Sequence, residues 1–159
     1  MKTLILAAVA VTMPIAALAH DGMHVEDAYA RSANPMTGAI FMTLENHRDV
    51  ACTLQSAESD VAERVELHSH TEEDGVMKMG RIEGGIQIPA HQTHAMKRGG
   101  DHVMLLGLTR KLADGDSIDL TLDFGDCGRE DVTATVDNAR ADEGHDMGHM
   151  EGGGEHAGH

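Results

Sequence analysis

The sequence predicts an all-β fold, an antiparallel sandwich of roughly seven to nine short strands. Three features predict it. Apolar and polar residues alternate in several runs, most cleanly over residues 117–124, where Ile118, Leu120, Leu122 and Phe124 share one face. Clusters of Gly, Asn, Asp and Pro interrupt those runs at close intervals. No stretch sustains the 3.6-residue apolar period of a helix.

Residues 1–19 stand outside that fold. Lys2 supplies a positive start, residues 4–17 an apolar run, and Ala17-Leu18-Ala19 a small-residue cleavage site, the pattern of a signal peptide cut before His20. The run is shorter than the roughly 20 residues needed to span a bilayer. Export to the periplasm is therefore expected. The mature chain would open on His20, and a free N-terminal histidine chelates Cu(II) through its amine and imidazole together. Two readings of that terminus stand: part of a copper enzyme, completed by His24 or a tail histidine, or a frayed end with no role.

The folded domain is assigned to residues 20–138. Residues 25–31 read as a first strand, 32–38 as a loop and 39–45 as a buried strand, with Met36 and Met42 as packing residues. Residues 52–57 form a third strand, and 61–67 lead into a hairpin. Gly84-Gly85 turns the chain into a short strand over 86–88, which Pro89 stops. His91 and His94 fall in an exposed polar loop. Gly99-Gly100-Asp101 turns into a strand over 102–108, a Gly-centred turn follows within 112–116, and residues 132–136 close the series.

Composition narrows the function. Lys and Arg number 12 against 27 Asp and Glu, and removal of Lys2 with the signal takes the net charge from −15 to −16. That acidity disfavours nucleic acid and anionic membranes and suits cations or basic partner surfaces. The chain carries 11 Met and 12 His but only 2% aromatic residues. Its two cysteines, Cys52 and Cys127, lack the Cys-x-x-Cys spacing of a redox or metal dithiol. In an oxidising compartment they are expected to pair, with two separate buried thiols as the alternative.

The chemistry concentrates between His68 and Met104. Glu66, His68 and His70 alternate with Val65 and Leu67, so they share a strand face. The segment Glu72-Glu73-Asp74-Gly75 is a turn signal. A four-residue loop there sets His68 opposite Met79 and His70 opposite Met77; a two-residue loop at Asp74-Gly75 sets His70 opposite Met79, with His68 on the diagonal. Either register gathers the histidines and methionines on one face. His102 and Met104, two apart on a strand, also share a face. Imidazole and thioether form a soft donor set that favours Cu(I) over Mg, Ca or Mn. A blue-copper electron carrier would need a Cys thiolate with two histidines, and no Cys accompanies His102 and Met104, so reversible holding of the ion is preferred to electron transfer.

Four motifs carry a resemblance: residues 61–68, Asp74-Gly-Val-Met-Lys-Met79, residues 83–89 and residues 99–108. Together they resemble the PCu(A)C family of periplasmic copper chaperones over roughly residues 25–137. The resemblance implies a cupredoxin-like antiparallel β-sandwich, a Cu(I) ligand set of His68, Met79, His102 and Met104, and no enzyme activity. It also implies delivery of copper to the CuA centre of cytochrome c oxidase, with an apo CuA domain or a Sco-type chaperone as partner.

From residue 139 the sequence loses apolar periodicity and is expected to be a disordered His/Met-rich tail. His145, Met147, His149, Met150, His156 and His159 lie there among carboxylates, a composition read as metal-binding and suited to Cu(II); a merely solubilising tail is the alternative. Three functions follow: a copper chaperone, a periplasmic copper-tolerance buffer, and a copper enzyme built on His20.

Overall fold

The computed structural model describes residues 22–141. The signal segment, His20 and the tail histidines lie outside those residues. Eleven strands are present among the described residues: β1 (Met23–Asn34), β2 (Thr37–Asn46), β3 (Cys52–Leu54), β4 (Ser56–Glu58), β5 (Ala62–Glu73), β6 (Val76–Arg81), β7 (Ile86–Ile88), β8 (Thr93–Met96), β9 (His102–Leu108), β10 (Ser117–Asp123) and β11 (Arg129–Val136). A 3-10 turn at Gly125–Cys127 is the only helical element among them.

One sheet runs in the order β4-β10-β11-β1-β2-β9-β5-β6, with β8 also paired to β2, and β3 pairs with β7 in a second small sheet. The pairing is antiparallel except where β11 joins β1 in parallel, Tyr29 opposite Thr135. That junction departs from the wholly antiparallel expectation. β2 divides its length between two partners, with residues 37–40 against β9 and residues 42–45 against β8.

The core collects the alternating positions of these strands. Ile40, Leu44, Leu54, Ile88, Val103, Leu105, Ile118, Leu122 and Val136 are essentially inaccessible, each worth about 1.5–3 kcal/mol of hydrophobic transfer. Buried Asn46 is satisfied: its amide donates to the Val50 and Ile88 carbonyls, both at 2.9 Å. Cys52 and Cys127 form a disulfide with a Cα–Cα distance of 5.9 Å, tying β3 to the turn after β10.

Several boundaries differ from the sequence reading, each for a local reason. The loop expected over residues 32–38 shrinks to Pro35-Met36, because the Asn34 Oδ1 accepts from the Met36 and Thr37 amides at 2.8 and 3.0 Å and closes a tight turn. Met36, expected to pack, is 60% exposed on that turn. The strand expected over 52–57 breaks at Gln55, whose amide turns aside to the Asp123 carbonyl at 2.8 Å. His94 lies within strand β8, not in a loop. That strand is short, and only Met96 of its four residues is buried, so alternation gave little signal.

Candidate metal site

The β5–β6 hairpin sets the site's register. Asp74 and Gly75 both have positive φ, 53° and 77°, as a two-residue type I′ turn requires. Of the two registers the sequence allowed, the structure adopts the shorter loop: His70 stands opposite Met79, Glu72 opposite Met77 and His68 opposite Arg81. Met79 is therefore a diagonal neighbour of His68. On the other side of β5, His68 stands opposite His102 and Glu66 opposite Met104.

Directly opposed residues share a sheet face, as do residues two apart on one strand. The ladder thus gathers Glu66, His68, His70, Met79, His102 and Met104 on one face across three adjacent strands. All four residues implied as ligands lie on that face, and none falls on the core side.

The surroundings of the donors differ sharply. His102 is 2% exposed, whereas Met79 on edge strand β6 is 49% exposed. The His102 ring is surrounded by Phe41, His68 and His70, with centroids at 5.9, 6.0 and 5.4 Å. Burial pushes the His102 pKa down, against a hydrogen bond to Gly100 that raises it, so the ring favours its neutral, ligand-competent form.

Hydrogen bonds then select which nitrogen is free. The His102 Nδ1–H donates to the Gly100 carbonyl at 3.1 Å, leaving Nε2 as the bare nitrogen. The His68 Nε2–H donates to Glu66 at 2.9 Å, leaving Nδ1 bare. That Nδ1 is buried without a partner, as is the Nδ1 of His70. A carboxylate on the far nitrogen of an imidazole is the usual outer support of a metal-binding histidine. The hydrogen bond from His68 in turn holds the Glu66 carboxyl below its ordinary range despite partial desolvation, and Arg81 and Arg64 add to that effect.

The rings are neighbours and not a closed cage. Among the described residues no three His, Cys, Asp or Glu side chains converge closely enough, as they stand, to hold an ion. The remaining histidines of the sandwich sit elsewhere, each beside a carboxylate: His91 with Asp49 at 2.7 Å, His94 with Asp101 at 2.8 Å, His47 with Glu45 at 3.1 Å and His24 with Glu26 at 3.6 Å. Glu66 and the Gly100 carbonyl had no role in the sequence reading. The alternation Glu66-x-His68-x-His70 was the available signal for Glu66; a backbone carbonyl leaves none.

The fold is that of PCuAC domains. The copper-bound PCuAC domain from PmoF2 superposes with a TM-score of 0.60 over 72% of this chain and 91% of that one, at 22% identity, a likeness of fold alone. DR1885 from Deinococcus radiodurans, in the solution structure of its CuI form, is 32% identical with a TM-score of 0.56, covering 77% of this chain and 84% of that one. A protein of Leifsonia xyli subsp. xyli described as a "Putative lipoprotein" is 31% identical over 116 residues, 73% of this chain and 70% of its own length. The model of the LpqE-like family, "Putative lipoprotein LpqE-like", matches residues 23–136, and the chain belongs to that family.

Proposed function

We propose that this protein is an exported copper chaperone that holds Cu(I) through His68, Met79, His102 and Met104. One observation carries the reading: strand pairing sets two imidazoles and two thioethers on a single sheet face. The CuI form of a 32% identical relative supports the choice of ion. Neutral soft donors suit a monovalent soft cation, and thioethers yield readily to a thiolate-bearing acceptor. Copper is here a cargo, and the protein's task is to bind and release it; no bond-making chemistry is assigned to it.

An exported, periplasmic setting is part of this reading, supported by the leader-like residues 1–19 and by lipoprotein descriptions among relatives. No helix among the described residues is long and apolar enough to cross a membrane. The recipient in this reading is an apo CuA domain of cytochrome c oxidase, directly or through a Sco-type chaperone. The tail, with His145, Met147, His149, Met150, His156 and His159, collects Cu(II), and His20 adds a weaker Cu(II) contact.

Anaerobic titration with Cu(I) against a chromophoric chelator tests the core of this proposal. One tight equivalent is expected in the full chain. Met79→Ala and Met104→Ala should each weaken it by roughly tenfold or more. Mixing the loaded protein with an apo CuA domain should transfer the ion. Unchanged Cu(I) affinity in the double methionine variant would refute the ligand set; a tight complex that never yields copper to the CuA domain would favour a storage role.

A further inference from the structure

We propose that His70 is a third imidazole donor at this site, engaged with His68 and His102 when the bound ion is Cu(II) and dispensable when it is Cu(I). This rests on the copper-binding reading above and extends it to a second oxidation state at the same place.

The geometry comes first. Of the two rings beside His102 on β5, His70 is the nearer, with a centroid separation of 5.4 Å against 6.0 Å for His68. With a metal–imidazole bond of about 2 Å, as at zinc, two rings on one ion bring their centroids to roughly 6 Å or less. Both spacings to His102 lie within that limit, and because the three rings do not yet converge on one point, binding calls for side-chain rotation of His68 and His70 toward His102. His68 and His70 also present the two buried side-chain nitrogens that have no hydrogen-bond partner among the described residues. A buried polar atom with nothing to bond is costly, and a metal ion would satisfy both nitrogens at once.

The pairing supplies the selectivity. His70 stands directly opposite Met79, so at one level of the hairpin the site offers a nitrogen from β5 and a sulfur from β6. Cu(I) favours the thioether, whereas Cu(II) favours imidazole and oxygen in a tetragonal arrangement. Three imidazoles from His68, His70 and His102 give Cu(II) a nitrogen-rich set that two imidazoles and two thioethers do not. Met79 is half exposed on the edge strand and can leave the ion without disturbing the core. Binding each ion is a ligand choice, and no redox step is involved.

The test uses the full chain with His20, His145, His149, His156 and His159 replaced by Asn, so that added copper reports on the sandwich. In this parent, one equivalent of Cu(II) should give an electron paramagnetic resonance spectrum with coupling to three nitrogens. His70→Ala and the more conservative His70→Gln should both reduce the coupling to two. Each should also lower Cu(II) affinity by roughly tenfold or more, with Cu(I) affinity changed less than about threefold. Agreement between the two variants, with unaltered far-ultraviolet circular dichroism, excludes a local collapse. An unchanged Cu(II) spectrum and affinity in both variants would overturn the proposal, as would an equal loss for Cu(I). A parent that binds Cu(II) through three nitrogens yet takes up no Cu(I) would leave this inference standing and sink the chaperone reading instead.

Discussion

Compare the region around Cys52 with the hairpin that carries His70 and Met79. In the first, β3 packs Cys52 and Leu54 into the core, β7 adds Ile86 and Ile88, and a disulfide clamps the turn beyond β10. In the second, β5 has no fully buried residue after Leu67, and all six residues of β6 are exposed. The hairpin relies on its backbone ladder, the Asp74-Gly75 turn and a surface ion pair between Lys78 and Glu73, a kind of pair worth at most about 1 kcal/mol. The candidate site straddles the two regimes: His102 belongs to the rigid body and Met79 to the thinly held edge. Under the proposed copper-holding function, a site built this way would fix one ligand and leave another free to exchange, as passing the ion onward requires.

The largest effect should come from unclamping the rigid region. Replacing Cys52 and Cys127 by Ser releases a loop of 75 residues, for which the chain-entropy estimate is about 4.5 kcal/mol. Denaturant unfolding of the copper-free protein measures it. A change near zero would mean that β3 and β7 hold their place by packing alone.

A pair of truncations sharpens the contrast. Leu122→Ala empties a fully buried position and should destabilise by about 3 kcal/mol. Met77→Ala, on a 56% exposed side chain, should stay within about 0.5 kcal/mol. Equal urea midpoint shifts for the two would show that the hairpin is as tightly packed as the body.

The smallest effect is a pH dependence located at His102. Burial depresses the pKa of this ring, so the unfolded chain binds its proton more readily than the folded one. Its contribution to stability is therefore complete above the unfolded value of about 6.5 and is lost as pH falls from there through the depressed folded pKa. Copper-free protein should lose stability on acidification in that range, and His102→Gln should flatten part of the slope. An unaltered slope in the variant would mean that other groups govern the acid limb.

Much of the sandwich was legible because half-buried strands write a period of two into the sequence. The run 117–124 is the clearest case, and its inward residues are the buried ones. β8 and the break at Gln55 were not legible, since a four-residue strand and a diverted amide leave too short a pattern. At the site, the sequence identified the shared face but left the hairpin register open between two loop lengths. The positive φ of Asp74 and Gly75 is what pairs His70 with Met79.

By itself, then, the sequence determined the strand-forming character of the chain, its acidity, its supply of soft donors and their grouping by face, because local alternation and residue chemistry are written residue by residue. Only the tertiary structure decided that β9 lies beside β5, that His102 is buried between Phe41 and two other imidazoles, and that Glu66 occupies the far nitrogen of His68. Those facts depend on which distant strands become neighbours. That choice is made by the burial of the whole core, which no local stretch of sequence encodes.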